Sequence, residues 1–419
     1  MTEKQSCNSC RDDLHTVIEA GKILMQSGAE IYRIEETMEH MAAALHINDF
    51  KAYVVNRGII ASGRNRLDIH EAKVCSVPET SVHLSKIEAV NSLSREIEQQ
   101  DDLSSTDICR RLQEINDMPD PNLWALLLAY FIGAGCFSYA IGSCLKDSLS
   151  SALAGLVMGL LLQWVGKYVK TPVLLTILES AAVTVTANLL CLAGLGENRG
   201  LIILGSLMLI IPGAVFTSSI REFSQSNHST GMTLLMSALL TCLSIAVGVA
   251  LTTDFLPFAT QMTSVFSTNA ESFHEILIRT LMAGIGTIAF SFLFHAPKKY
   301  FLDLGVLGAA SWMIYLLLST HLEREILTIF FPALFASLCS MFLSVKRRCP
   351  MTIFLSTSIF PLIPGLSFYR SVYFLMTGFT TLAVSYMRSC FNSAFAIAVA
   401  IIVVQELRSH RIRLFKFFN

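Results

Sequence analysis

The chain has 419 residues, 53% of them hydrophobic and 15% charged, with a mean hydropathy of +0.55 and a net charge of −1. Soluble domains carry about 25% charged residues, so a single water-soluble enzyme of this length is excluded on composition. The near-zero charge hides a division. Residues 1–120 hold 21 acids against 13 bases, while 121–419 hold 11 acids against 18 bases, so an acidic soluble domain precedes a segment sparse enough in charge to live in lipid.

Nothing in Met1–Arg11 resembles the apolar stretch of a signal peptide. The 11 cysteines are odd in number and scattered. Six of them (Cys136, Cys144, Cys191, Cys242, Cys339, Cys390) fall within apolar runs, where cysteine behaves as a small hydrophobe, so no disulfide framework is expected. Cys7 and Cys10 form a lone C-x-x-C without a second ligand pair, and neither a metal nor a cofactor is expected.

From Asp12 to His46 apolar residues recur at three- and four-residue steps, the mark of amphipathic helix. Ser27-Gly28-Ala29-Glu30 interrupts it. Gly28 is a poor interior residue, and Ser27 with Glu30 makes a capping-box pattern, so a break at Ser27 is predicted. β-rich pieces follow at Phe50–Val55, Gly58–Ser62 and Lys73–Val77, with Asn56-Arg57-Gly58 as a hairpin turn. Helices over Val82–Gln99 and Ser105–Ile115 complete a small α/β unit, closed by Met118-Pro119-Asp120-Pro121. Arg33, Glu35, Glu36 and Glu39 share one helix, and spacing alone favours a solvated, salt-bridged face. The unit contains no nucleotide-hydrolysis, serine-hydrolase or zinc-hydrolase motif.

Ten later segments are apolar enough to span a membrane: 123–144, 148–166, 172–194, 200–219, 232–252, 276–295, 301–319, 326–345, 351–369 and 389–407. The stretch 371–388 is ambiguous between spanning, re-entering and lying on the surface. Lys167, Lys170, Arg221, Lys298, Lys299, Lys346, Arg347, Arg348 and the tail from Arg408 gather on one side. The opposite 253–275 connection has three acids and no base, which places both termini in the cytoplasm if ten segments span. The expected layout is a flexible tail (1–11), a cytoplasmic domain (12–118), a first membrane repeat (123–252), an external loop (253–275), a second repeat (276–407) and a basic tail (408–419).

The two membrane halves match. Ile211-Pro212-Gly213 recurs as Ile363-Pro364-Gly365, Phe137-Ser138-Tyr139 as Phe290-Ser291-Phe292, and Ala154-Gly155 as Leu307-Gly308, at offsets of 152 or 153. Five spans is an odd number, so the second unit is inverted relative to the first, an arrangement typical of secondary transporters. The fold class is thus an α-helical polytopic membrane protein of two inverted five-span repeats behind a small α/β domain.

Proline removes a backbone donor and glycine tolerates the resulting torsions, so both Pro-Gly pairs predict a helix broken inside the membrane. Such breaks are tolerated where they face protein or a watery cavity, and paired breaks in inverted halves point to a mid-membrane site. The alternative is a pair of packing kinks. Candidate substrate-binding residues are Pro212, Gly213, Ser218, Arg221, Pro364, Gly365, Tyr369 and Arg370, whose hydroxyls and guanidinium groups suit a small carboxylate. Arg221 alone fits a positive-inside anchor equally well. Glu179, an acid inside a span, is a candidate for proton coupling, with snorkelling or bonding to Thr176 or Thr184 as the alternative. Asp147 is a second coupling candidate at a span end. Gly155 and Gly159 fit helix packing, as do Gly284 and Gly286.

These residues carry a family resemblance. The run Gly21–Leu24, Ser27-Gly28-Ala29-Glu30, Tyr32-Arg33 and Glu35, with Asn56–Ser62 and His83-Leu84-Ser85-Lys86-Ile87, resembles the N-terminal part of the threonine/serine exporter (ThrE-like) family. Gly142 with Asp147, Ile211-Pro212-Gly213, Ile220-Arg221-Glu222 and Gly231 resemble its first membrane unit, with Ser143 and Glu222 standing where the family tends to have Gly and Asp. Phe294–Trp312, and Pro361–Gly365 with Tyr369-Arg370, resemble the small partner subunit of two-component members, so the chain looks like a fused form. The resemblance implies a proton-driven inner-membrane exporter of threonine or serine, with small dicarboxylates such as succinate as the alternative cargo. It makes Ser27, Gly28, Arg33 and Glu35 a cytoplasmic-domain motif at a gate or vestibule. The implied partners are a small amino acid or carboxylate, the proton and the lipid bilayer; self-association is open and nucleic acid is not expected. The rival from another class is a membrane-anchored enzyme or sensor acting through residues 1–118.

Overall fold

The computed structural model describes residues 13–417 apart from 56, 65–67, 78–80, 100–103, 225–226, 256–271, 323 and 377. The chain forms two compact units. One gathers Met1–Pro121 with the short segments Phe294–Pro297 and Arg347–Ile353; the other holds Asn122–Leu293, Lys298–Lys346 and Phe354–Asn419.

In the first unit, helices α1 (Asp13–Gln26) and α2 (Ile31–Ala44) precede an antiparallel sheet of β1 (Asn48–Val55), β2 (Gly58–Arg64) and β3 (His70–Ser76) in that order. Helices α3 (Leu84–Gln99) and α4 (Ser105–Asn116) follow. The apolar positions of α1 and α2 are buried with Ile59, Leu84, Ile87 and Val90, each worth about 1.5–3 kcal/mol when fully removed from water. Val55 pairs with Gly58, so the hairpin loop is two residues long; Asn56 lies outside the described residues. The break after α1 is where the sequence predicts it, and Gly28 occupies it at φ +78°, a conformation costly for other residues. The predicted capping box does not form. The N-cap of α2 is Glu30, without a side-chain cap bond, and the Ser27 hydroxyl is buried with no hydrogen-bond partner among the described residues.

Among the described residues the second unit contains eight unbroken helices long and apolar enough to cross a membrane: α5 (Leu123–Ala140), α6 (Leu145–Val165), α7 (Pro172–Leu192), α10 (His228–Phe255), α11 (Phe273–Leu293), α12 (Phe301–His321), α13 (Glu325–Arg347) and α16 (Thr380–Phe417). The pair α14 (Met351–Ser358) and α15 (Gly365–Met376) qualifies as a ninth span bent by 41° about a short 3-10 turn at Phe360–Leu362. The tenth expected segment, 200–219, is two short helices, α8 (Arg199–Leu207) and α9 (Gly213–Ser224), because Pro212 interrupts it before either piece reaches membrane length. The ambiguous stretch 371–388 is divided near Gly378 (φ +84°) between the end of α15 and the start of α16, and α16 continues as helix through the basic residues of the tail. Both halves therefore run three long helices, one broken pair and one long helix.

Small residues let these helices approach, since lipid supplies no hydrophobic drive between them. A Cβ on Gly155 would press on Ala134, and one on Gly308 would press on Thr287, so the two glycines and their facing residues share the 153-residue offset. Phe137 and Phe290, also 153 apart, meet edge-on with ring centroids 6.4 Å apart. Trp124, Trp164 and Tyr168 are exposed at helix ends, as interfacial aromatics are. Eight described cysteines are free, including all six in the apolar runs; Cys109 departs from expectation in being disulfide-bonded.

Candidate functional site

The two Pro-Gly pairs fold alike. Gly213 N–H donates to the Ile211 carbonyl at 2.8 Å, and Gly365 N–H donates to the Ile363 carbonyl at 2.8 Å. Each is a three-residue turn that the fixed proline torsion permits. Helix resumes at once, with Phe216 N–H on the Pro212 carbonyl and Phe368 N–H on the Pro364 carbonyl, both at 3.0 Å. The shared pattern is Ile-Pro-Gly-x-x-Phe. Phe216 and Phe368 stack at 4.6 Å, and Ser219 and Ser371 bond to the carbonyls of Gly231 and Ala383, twelve residues on in each half.

The two turns also touch. A Cβ on Gly365 would lie 2.7 Å from Ile211 Cγ2 and 3.6 Å from the Gly213 Cα, and one on Gly213 would collide with Ile363. The breaks therefore cross, with the start of α9 beside the start of α15. Each half-helix begins with backbone N–H groups that its own helix cannot satisfy, and the peptide dipoles add positive potential there. Two such termini converge on one place.

A small, partly open pocket adjoins the crossing. It is lined by Thr217 and Ser218 of α9, Leu355 and Ser356 of α14, Ile359 and Ile363 beside the second break, and Ile401 of α16. The Thr217 hydroxyl is buried and has no hydrogen-bond partner among the described residues. An unsatisfied buried hydroxyl costs about 1–3 kcal/mol, which a polar solute in the pocket would recover. The lining thus offers three hydroxyls against four branched alkyl groups, suited to a small amphiphilic solute.

Among the predicted residues, Ser218 lines the pocket. Pro212, Gly213, Pro364 and Gly365 build the crossing beside it. Tyr369 and Arg370 are buried away from this lining; Arg370 donates to the Tyr386 hydroxyl at 3.3 Å and lies over its ring at 5.3 Å. Arg221 is on α9, and its side chain lies outside the described residues. Glu179 is 4% exposed on α7, and its carboxylate makes no hydrogen bond or ion pair among the described residues, neither with Thr176 nor with Thr184. Asp147, equally buried, accepts the backbone N–H groups of Glu197 (2.7 Å) and Asn198 (3.1 Å), so it fixes the turn that leads into α8.

The motif of the first unit departs from the solvated face that spacing favours. Glu36 and Glu39 are exposed, but Arg33 is buried against Tyr32, and Glu35 accepts the Val54 N–H at 3.1 Å, tying α2 to β1. Beside this motif the first unit holds both short segments that connect membrane helices. The N-terminal amides of α3, Leu84 and Ser85, donate to the carbonyls of Phe294 (3.0 Å) and His295 (2.9 Å), and the Ser85 hydroxyl adds a 2.6 Å bond to His295. His83 stacks on His295 at 4.6 Å, and burial pushes its pKa down to about 4. Arg95 donates to the Arg348 carbonyl at 3.0 Å, and Thr352, at the start of α14, donates to Glu30 at 3.5 Å. Sequence reasoning missed this capping, since it joins residues more than 200 positions apart. It also passed over Ser356, although a Ser-Thr-Ser run just before a break was there to see.

Comparisons with known proteins follow the same division. Residues 15–256 match a family described as "Putative threonine/serine exporter", and residues 279–407 match one described as "Threonine/Serine exporter, ThrE". A curated relative from Mycobacterium tuberculosis (strain ATCC 25618 / H37Rv), described as "Probable threonine/serine exporter", is 19% identical over 383 residues, covering 86% of this chain and 71% of its own. No solved structure matches the chain.

Proposed function

The chain belongs to the threonine/serine exporter family, and on that premise we propose that it carries threonine, serine or a similar small hydroxy amino acid out of the cell across the bacterial inner membrane. The substrate sits at the crossing of the two broken helices. Its carboxylate faces the paired helix starts at Gly213 and Gly365, and its side chain faces the pocket of Thr217, Ser218 and Ser356. The single observation that carries this reading is the contact between two equivalent Ile-Pro-Gly turns beside a pocket with an unpartnered hydroxyl. Both termini are cytoplasmic, following the lysine and arginine distribution of the connections. Glu179 takes and releases the coupling proton: it is a carboxylate buried in a membrane helix, with no ion-pair partner among the described residues, and such intramembrane acids are costly to keep unless they serve function. Asp147 and Glu35 position backbone and do not touch the substrate.

A dicarboxylate such as succinate fits less well, since its second carboxylate would meet alkyl groups and neutral hydroxyls in this lining. The pocket assignment is tested by Thr217→Val, which keeps shape and removes the hydroxyl. In reconstituted vesicles the half-saturating threonine concentration should rise about 5- to 10-fold, the worth of one neutral hydrogen bond. An unchanged value in the Thr217→Val/Ser218→Ala double variant would remove this pocket from the route.

A further inference from the structure

Around the crossing the two halves keep one register. Each helix of the first half starts 152 residues before its equivalent: α8 at Arg199 and α14 at Met351, α9 at Gly213 and α15 at Gly365, α10 at His228 and α16 at Thr380. Every residue that lines the pocket therefore has a counterpart in the other half. Leu355, Ile359, Ile363 and Ile401 form the pocket's alkyl wall. They correspond to Ile203, Leu207, Ile211 and Val249, which are branched alkyl residues as well. The same wall is built twice.

What stands inside the two walls differs. The place of Thr217 is taken by Tyr369, and that of Ser356 by Leu204. Tyr369 is fully buried, and it shares one closed apolar cluster with Leu204 and all four counterpart wall residues. A tyrosine ring on the backbone position of a threonine fills the space that the threonine leaves open, and protein interiors tolerate few voids. One pocket is open; its counterpart is occupied by a side chain of the protein itself.

This filling is not a comfortable one. The Tyr369 hydroxyl makes no hydrogen bond among the described residues, the same condition as the Thr217 hydroxyl in the open pocket. Buried tyrosines usually find a partner, and a phenylalanine would fill the space without the penalty of an unmade bond. The hydroxyl therefore serves an arrangement other than this one, in which it meets water or solute. Halves related by inversion supply such an arrangement, because exchanging their conformations closes the open pocket and opens the closed one to the opposite face.

We propose that Tyr369 plugs a second, latent pocket for the same small amphiphilic solute, equivalent to the first through the inverted repeat and serving the opposite face of the membrane. When the halves exchange conformations the ring withdraws, and its hydroxyl takes the part that Thr217 plays in the open pocket. The proposal rests on the exporter reading for the identity of the solute; the plug itself rests on packing.

Cys242 of α10 reports on the plug without any substitution. It is fully buried in the same cluster and close enough to Tyr369 to interact with it electrostatically. The full chain is reconstituted in vesicles and exposed to N-ethylmaleimide, a small thiol reagent, and the peptide containing Cys242 is followed by mass spectrometry. At rest the thiol should be protected. With threonine and a pH gradient applied, its modification should quicken about 10-fold, as a minor open state becomes a populated one. An unchanged rate in vesicles that do carry threonine would overturn the proposal. A second comparison does not depend on cargo. Tyr369→Thr gives the latent pocket the residue of the open one, so Cys242 should react at rest as fast as it does in the working wild type, whereas in Tyr369→Phe it should stay protected. Equal protection in the folded threonine variant would also overturn the proposal; Tyr369→Leu, milder in packing, serves the same comparison should that variant not fold. If the wild type carries neither threonine nor serine, the exporter reading fails, and the resting rates of the Tyr369 variants alone decide the latent pocket.

Discussion

Gly365→Ala probes the crossing of the two broken helices with a single methyl group. The added Cβ would lie 2.7 Å from Ile211 Cγ2, whereas carbon atoms rest at about 3.5–4.0 Å, so something must give by roughly 1 Å. The surroundings cannot absorb this freely. Phe216 and Phe368 are stacked at 4.6 Å beside the turn, both are about 1% exposed, and close-packed interiors transmit such displacements. Overpacking of this kind costs about 1–3 kcal/mol. The expected outcome is a melting temperature lowered by a few degrees, together with flux reduced by more than the loss of folded protein explains, because the half-helix starts are forced apart. Ile211→Ala removes the offending methyl and should restore a substantial part of both, with a coupling of at least about 0.5 kcal/mol between the two positions. The assay is threonine flux per folded molecule alongside the melting temperature, for both single variants and the double. Full activity and stability in Gly365→Ala, or strictly additive effects in the double variant, would refute the contact on which the site is built.

Glu179→Gln keeps the shape of the buried side chain and removes its proton chemistry. It should abolish gradient-driven flux while preserving the fold, and a variant with wild-type pH dependence would remove Glu179 from the coupling. In the first unit, His83 is held neutral, with burial as the main cause and the charges of His295 and Lys86 adding to it. Its pKa falls from about 6.5 unfolded to about 4 folded, so the unfolded chain binds the extra proton across that window. The stability of this unit is then full above pH 6.5 and declines as pH falls towards 4, by up to roughly 3 kcal/mol. The groups around the ring are His295, Lys86 and Asp120. Melting temperature followed between pH 7.5 and 4.5 should show this slope in wild type and a flatter one in His83→Gln; identical curves would exclude the histidine as its source.

Much of the fold was legible because the signals were periodic. Helical spacing over Asp12–His46 gave α1 and α2, Gly28 gave the break, and a common offset of 152–153 residues gave the two halves before any contact was known. The offset reappears in space, at Gly155 against Ala134 and Gly308 against Thr287, since repeated sequence packs in repeated ways. What sequence could not supply was non-local. The segment 200–219 has the composition of a span, but the backbone cost of Pro212 divides it. Tyr369 and Arg370 carry attractive chemistry near the second break, yet helical phase turns them into the packed interior instead of the pocket. Arg33 and Glu35 sit on a helix whose charge pattern suggests water, and only the approach of β1 and Tyr32 accounts for their inward turn.

The measurement closest to the central claim is the flux of labelled threonine and serine in vesicles containing the purified full chain, with and without an imposed pH gradient. The account predicts movement well above protein-free vesicles, faster with the gradient, collapsed by a protonophore and diminished by Thr217→Val. Rates equal to protein-free vesicles for both amino acids, under either condition, would contradict it.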